Sequence, residues 1–261
     1  MWRSMDRKTL LKIFIAGLLL CLCSCSGQSK EVRKRQGEAS RDVGEAYMHA
    51  GNYTGALREL LKAEELTPDD IYIQNDLGLT YMAKERTDLA IRHFKKALDK
   101  NPGFTAARNN LGTAHMANSD WDAAITTFKK VLEDLLYPTP HFPHSNLGWA
   151  YYNKKQYDLA ARHYSEALES QPRFVIAMRG LGRTYVAMKK IPDAVGMFKK
   201  AIGISPRFAP LYLDLAKAYT AANDRRSALD IYRKVIAAFP GTPYADEAQR
   251  DAGALLLNSG S

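Results

Sequence analysis

Residues 71–104 read IYIQNDLGLTYMAKERTDLAIRHFKKALDKNPGF, and this stretch decides the fold. Counted from its first residue, small or apolar side chains stand at positions 7, 8 and 11 and again at positions 20, 24 and 27, with proline at position 32. Each set has the spacing of one face of an α-helix. Because the residue before a proline is pushed out of the helical region, the second helix is expected to end near Asn101. The stretch therefore predicts a pair of amphipathic helices.

The same pattern recurs along the chain with a period of 34 residues. Proline recurs at positions 68, 102, 172, 206 and 240, and the spacing becomes regular if one unit carries two additional residues. The predicted units are residues 37–70, 71–104, 105–140, 141–174, 175–208 and 209–242, and residues 243–258 predict a capping helix. Because no unit can bury both of its apolar faces alone, we expect an all-α solenoid in which six units stack.

Glycine at position 8 and tyrosine at position 11 are expected to hold the paired helices together. The glycine lets two backbones approach, and the tyrosine fills the gap between layers. The residues predicted in these roles are Gly78, Tyr81, Gly112, Gly148, Tyr151, Gly182 and Tyr185. A large side chain in place of Gly78 or Gly148 should overpack the helix pair, at a cost of about 1–3 kcal/mol.

In period and residue types, residues 37–242 resemble the tetratricopeptide repeat. The resemblance implies a right-handed α-solenoid whose first helices line a concave groove, with positions 2, 5, 9 and 12 facing a protein partner. The candidate groove residues are Tyr72, Asn75, Leu79, Asn109, Phe142, Trp149, Tyr152, Arg179 and Arg183. Trp149 and Tyr152 are the expected anchors, while Asn75 and Asn109 are expected to hold an extended peptide backbone. Alternatively, Phe142 and Trp149 plug the irregular junction between the third and fourth units.

The N-terminal residues predict an export signal followed by a lipid anchor. Four basic residues precede an apolar run at residues 13–23, which is shorter than the roughly 20 residues that a membrane span needs. The run ends in Leu22-Cys23-Ser24-Cys25, which resembles the bacterial lipobox. Residues 1–24 are therefore interpreted as a signal peptide and Cys25 as the lipidated residue, with lipidation at Cys23 or an ordinary cleavable signal as alternatives. Residues 25–36 lack an apolar period and predict a flexible tether.

Several function classes are disfavoured by composition. The 3 cysteines, at positions 21, 23 and 25, all precede the repeats, so cysteine cannot supply a disulfide, a zinc ligand or a nucleophile in the repeats. The net charge of +9 includes a net three charges from residues 1–24, and no basic run exceeds Arg33-Lys34-Arg35, so nucleic-acid binding is not expected. His141 and His144 have no third ligand adjacent in sequence, so we expect no metal site, no cofactor beyond the Cys25 lipid, and no enzyme activity.

The irregular third unit indicates a narrower family. Its insertion contains Leu136-Tyr137-Pro138 shortly before Asn146-Leu147-Gly148, and in a lipidated six-repeat frame this segment resembles the type IV pilus biogenesis and stability lipoproteins (PilF, PilW and Tgl). The resemblance implies a monomeric pilotin that binds the outer-membrane pilus secretin. With Ser26 after the lipidated cysteine, it also implies the outer membrane of a Gram-negative bacterium, facing the periplasm. The alternative function is a general periplasmic scaffold that docks cell-wall or envelope assembly factors.

Overall fold

A computed structural model describes residues 29–257, which divide between Asn110 and Leu111 into two compact units. The first unit contains helices α1 (29–49), α2 (Tyr53–Leu66), α3 (Ile71–Ala83) and α4 (Thr87–Lys100). Helix α5 (Thr105–Ala117) crosses the division. The second unit contains α6 (Trp121–Leu132), α7 (His141–Asn153), α8 (Tyr157–Ser170), α9 (Val175–Ala187), α10 (Ile191–Ile204), α11 (Ala209–Ala221), α12 (Arg225–Ala238) and α13 (Pro243–Leu257).

The helices follow the repeat pattern of the sequence. Residues 29–257 contain helices and connecting turns but no strand, and consecutive helices pack against each other within each unit. The prediction of an all-α repeat of helix pairs is therefore confirmed. The first helices of the second to sixth repeats begin at the first residue of the repeat, at Ile71, Thr105, His141, Val175 and Ala209.

Each first helix ends in the same left-handed turn. The residue at position 15 has a positive φ in all six repeats: 72° at Gly51 and 57–61° at Glu85, Ser119, Lys155, Lys189 and Asn223. The N–H of the next residue then bonds the carbonyl of position 11, as in Arg86 to Tyr81 at 2.9 Å. This pairing is the Schellman motif, which satisfies the carbonyls left open at a helix end. The chain can therefore reverse within a few residues to begin the second helix.

A buried aromatic ring fills the space opposite the position-8 glycine of the second to fifth repeats. Phe94 is fully buried against Gly78, where an added Cβ would lie within 3.0 Å of three ring atoms. Phe128 stands in the same relation to Gly112, and Phe198 to Gly182. Close packing of this kind leaves no room for a side chain.

The position-11 tyrosines pack beside these rings. Tyr151 is buried and stacks on His163, with ring centroids 5.3 Å apart. Tyr81 stacks on His93 at 5.2 Å, and the half-buried Tyr185 packs against the buried clusters of the second unit. Tyr81 and Tyr151 thus pack against the second helix of their own repeat.

Residues 29–36 correct the prediction of a tether. They are helical and continue into α1 instead of forming a flexible segment. Their exposed charges form helix-spaced ion pairs, Glu31 with Arg35 at 3.1 Å and Lys34 with Glu38 at 3.8 Å. Arg33 also donates to the carbonyl of Glu65 on α2 at 3.3 Å. Ion pairs between residues four apart stabilise this helical segment, which has no apolar face. A prediction based on the spacing of apolar residues therefore does not detect the helix.

The remaining N-terminal predictions lie outside the described residues. They are the signal peptide at 1–24, the lipidated Cys25 and the tether residues 25–28. Among residues 29–257, none of the helices has both the length and the apolar character needed to cross a bilayer. At the other end, α13 packs on α12 and α11, and its buried Ala248 and Ala252 join a cluster around Tyr212 and Tyr232.

Candidate functional site

Polar side chains at position 5 link one repeat to the next. In three places they bond the residue at position 6 of the following repeat, with N···O distances of 2.5–3.0 Å. The pairs are Arg41–Asp76, Asn75–Asn110 and Arg179–Asp214. Asn75 is buried, and its Oδ1 accepts from Asn110. The prediction that Asn75 holds a partner's backbone is therefore wrong, because inter-repeat packing occupies this side chain.

The other predicted groove residues of the first unit differ in exposure. Tyr72 is 51% exposed, packs edge-on against Phe104 at 5.4 Å, and lies under the Arg41 guanidinium. Leu79 is half-buried at a cavity of about 510 Å³. Asn109 is half-buried on α5. In this unit Tyr72 and Leu79 remain accessible to a partner.

An electrostatic cluster lies at the same cavity. Arg41 donates to Glu45 at 2.5 Å and to Asp76 at 3.0 Å, so two carboxylates share one guanidinium. Burial raises the pKa of Asp76 to about 7 against the opposing charge of Arg41, and the negative charge of Glu45 adds to the rise. Asp76 therefore holds its proton to a higher pH than an ordinary aspartate does.

In the second unit, three predicted residues form an aromatic patch, defined here as Trp149, Tyr152 and Arg183. The Trp149 and Tyr152 rings on α7 are stacked nearly parallel, with centroids 5.8 Å apart and an interplanar angle of 7°. The Arg183 guanidinium on α9 lies 5.3 Å from each ring centroid, within cation–π range. Among the described residues Arg183 has no carboxylate partner, whereas Arg179 is paired with Asp214. The patch therefore presents aromatic surface beside an uncompensated positive charge.

A cavity of about 270 Å³ adjoins the patch. It is lined by Met116, Ser145, Asn146, Trp149, Tyr164, Ile176, Arg179, Gly180 and Arg183. Its Tyr164 is buried, and burial raises the pKa of this phenol far above its usual value. The volume of this cavity is below the roughly 300–1,000 Å³ typical of small-molecule sites, and so the cavity suits one side chain of a partner.

Phe142 is separate from the patch. It is 45% exposed, and its ring contacts His141 at 4.2 Å and Phe174 at 5.5 Å. Trp149 is half-buried against the main core cluster of the second unit. The structure thus brings together Trp149, Tyr152 and Arg183, with Arg179 at the cavity, and leaves Phe142 outside.

The insertion before α7 exposes two adjacent leucines. Leu135 is 94% exposed and Leu136 is 91% exposed, in a turn where Asp134 accepts from the Leu136 N–H at 3.1 Å. Large aliphatic side chains are rarely so open to water in a folded domain, and contiguous apolar exposure marks interaction surfaces. The Leu136-Tyr137-Pro138 motif lies in this segment, but the sequence pattern does not predict that the two leucines are exposed.

A cluster of possible metal ligands was missed at the sequence level. His144 lies with His163 and Glu166, and not with His141, whose ring packs on Phe142 and Phe174. The partners are remote in sequence because they lie on α8, whereas His144 lies on α7. Burial lowers the pKa of both His144 and His163 against the opposing charge of Glu166.

Comparison with known proteins identifies the family. Models described as tetratricopeptide or TPR repeats match residues 44–85, 75–135, 143–174 and 189–252. The chain is a tetratricopeptide-repeat protein. No curated protein sequence matches it.

Solved structures share the fold of this tetratricopeptide-repeat protein. PilW, described as a widely conserved type IV pilus biogenesis factor, has a TM-score of 0.77 and 23% identity, covering 82% of this chain and 98% of PilW. Pseudomonas aeruginosa PilF has a TM-score of 0.71 and 19% identity, covering 84% and 99%. YrrB, a TPR protein with an unusual peptide-binding site, has a TM-score of 0.56 and 19% identity, covering 73% and 97%. At these identities the likeness shows the fold, which is that of a protein-interaction scaffold.

Proposed function

We propose that this tetratricopeptide-repeat protein is a lipid-anchored, non-enzymatic pilotin of the type IV pilus, which binds a segment of the outer-membrane secretin. The observation that carries the proposal is the aromatic patch of Trp149, Tyr152 and Arg183 beside a cavity sized for a side chain. Tryptophan, tyrosine and arginine are the residues that dominate binding energy at protein interfaces.

The chemistry of the patch limits the segment it would bind. Within residues 29–257, Arg183 pairs with no carboxylate at the cavity, whereas Arg179 is neutralised by Asp214. Ile176, 53% exposed, adds apolar surface to the cavity. A segment with an apolar or aromatic side chain next to an aspartate or glutamate would fill the cavity and neutralise Arg183.

Two further observations support the pilus over other envelope machines. The Leu136-Tyr137-Pro138 insertion is the feature in which the sequence resembles the pilus lipoproteins, and Leu135 and Leu136 are almost fully exposed in it. The fold is shared with PilW, a type IV pilus biogenesis factor, and with PilF. The insertion would supply a second contact with the partner, distinct from the aromatic patch.

The mechanism combines the anchor with the patch. Lipid chains on Cys25 would hold the repeats at the periplasmic face of the outer membrane, since more than one acyl chain is needed for stable anchoring. The patch would then capture secretin subunits where they must insert. Tethering both at one surface raises their effective concentration and favours multimers without any new contact between secretin subunits.

The proposal is tested by immunoblotting the secretin, with heat-resistant multimers resolved from monomers. Cells would carry wild type, a deletion, Cys25→Ala, Trp149→Ala or the control Tyr244→Ala, which removes a 40% exposed tyrosine on α13. We expect multimers to be lost in the deletion, mislocalised in Cys25→Ala and reduced in Trp149→Ala, with Tyr244→Ala like wild type. Unchanged multimers in the deletion would remove the pilus assignment and leave a general envelope scaffold as the function.

A further inference from the structure

Three potential ligand atoms converge between α7 and α8 of the fourth repeat. His144 Nδ1 lies 3.4 Å from His163 Nδ1 and 3.1 Å from Glu166 Oε2, and His163 Nδ1 lies 2.7 Å from the same oxygen. This is the one such group of three among residues 29–257. The side chains are 15–27% exposed, so they are largely shielded yet reachable from solvent.

The spacing is that of ligands around one ion. Ligand atoms at 2.0–2.1 Å from a tetrahedral Zn²⁺ are roughly 3.3 Å apart. Two sides of the triangle, at 3.4 and 3.1 Å, are near that length, whereas the third, at 2.7 Å, would lengthen when an ion binds. Glu166 Oε2 is buried, and both imidazole nitrogens lie within 3.1 Å of it, so all three atoms face one point. A simple histidine–glutamate hydrogen bond would align one N–H with the oxygen and would not require the second imidazole nitrogen to face the same point.

The surrounding contacts resemble the outer shell of a metal site. Glu166 Oε1 accepts from Arg162 Nε at 3.1 Å, which fixes the carboxylate orientation. His163 is held by stacking on Tyr151, with an interplanar angle of 1°. Partners of this kind orient ligands and tune affinity in known sites.

We propose that His144, His163 and Glu166 form a binding site for one divalent transition-metal ion of the Zn²⁺ class. Two imidazole nitrogens and one carboxylate oxygen suit Zn²⁺, Co²⁺, Ni²⁺ or Cu²⁺, whereas Mg²⁺ and Ca²⁺ prefer oxygen ligands alone. Three protein ligands leave a fourth position for water or for a side chain from a partner. A bound ion would join α7 to α8 in the repeat that follows the insertion, and would stabilise the fourth repeat by mass action.

The test is Zn²⁺ titration by calorimetry of the full chain, purified in detergent and first stripped of metal with a chelator. The variants are His163→Ala and Glu166→Gln, and the matched control is His141→Ala, which removes a histidine from the same helix as His144 but outside the cluster. We expect one ion per chain for wild type and for His141→Ala. Loss of a direct ligand should weaken binding by more than the 10–100-fold typical of losing an outer-shell partner.

Two further measurements separate a lost ligand from a lost fold. Circular dichroism would show whether each variant retains its helices. Glu166→Gln keeps the shape of the side chain, so this variant still tests the proposal if His163→Ala does not fold. Co²⁺ should give visible d–d absorption of tetrahedral intensity in wild type and in His141→Ala but not in Glu166→Gln. The proposal is overturned if wild type binds Zn²⁺ no more tightly than Glu166→Gln, or if His141→Ala weakens binding as much.

Discussion

Replacing Gly180 with alanine should destabilise the second unit through one aromatic ring. A Cβ at Gly180 would lie well within 3.0 Å of Tyr164 Cζ and 2.6 Å from its hydroxyl oxygen. The ring cannot retreat, because Gly148 packs on it so closely that a Cβ there would lie 2.8 Å from Cγ. Overpacking typically costs 1–3 kcal/mol, and we place this site at the upper end, about 3 kcal/mol. Better helix propensity returns about 1 kcal/mol, which leaves a net loss of about 2 kcal/mol.

Thermal unfolding followed by circular dichroism measures this loss. For a protein of this size, about 2 kcal/mol corresponds to a fall in Tm of roughly 4–8 °C. The matched control is Gly196→Ala on α10, where an added Cβ meets no heavy atom within 4 Å, so the same substitution should raise Tm. In a Tyr164→Leu background the Gly180→Ala penalty should shrink. If Gly180→Ala melts at or above the wild-type temperature while Gly196→Ala behaves as expected, the close-packing argument is refuted.

Three further changes test the electrostatics and the surfaces. The pKa of Asp76 is about 7 in the folded protein against an ordinary value of 3.8, so the free energy of unfolding should fall as pH rises between those values. Asp76→Asn should make this fall smaller, as measured by urea titrations at pH 5 and pH 8. An unchanged fall in the variant would contradict the raised pKa. Replacing Leu135 and Leu136 together with serine should leave Tm within about 2–4 °C of wild type, since each exposed residue contributes within about ±0.5 kcal/mol, but should lower secretin multimer yield. Trp149→Ala should weaken partner binding by about 2 kcal/mol or more, which raises Kd roughly 30-fold. Calorimetry with the secretin segment measures this Kd, and an unaltered value would exclude Trp149 as an anchor.

The helix pairs were predictable from sequence because their signals are local. Apolar spacing, position-8 glycines and the recurring proline depend on neighbours within one repeat, so Gly78 faces Phe94 as the pattern implies. The left-handed residue at position 15 was not predicted, because its occupants include Glu85, Lys155 and Lys189, which have no special preference for that conformation. At position 15 the Schellman turn, and not the residue type, determines the positive φ.

The site was less predictable because its contacts join distant residues. Whether Asn75 is free or bonded to Asn110 depends on the offset between successive repeats, which places position 5 beside position 6 of the next repeat. His144 and His163 are 19 residues apart, and only the pairing of α7 with α8 brings their nitrogens together. Trp149 and Arg183, in contrast, are at predicted groove positions and do meet, because both stand at position 9 of adjacent repeats.

Site-specific photo-crosslinking in living cells tests the binding of secretin by the aromatic patch most directly. A photoreactive residue would replace Ile176, which is 53% exposed at the cavity, or Tyr244 on α13 as the control, followed by immunoblotting for the secretin. We predict a secretin adduct from position 176, lost when Arg183→Glu is added, and little or none from position 244. With both proteins expressed normally, absence of the adduct at position 176, or equal adducts at both positions, would contradict the proposal that the patch binds the secretin.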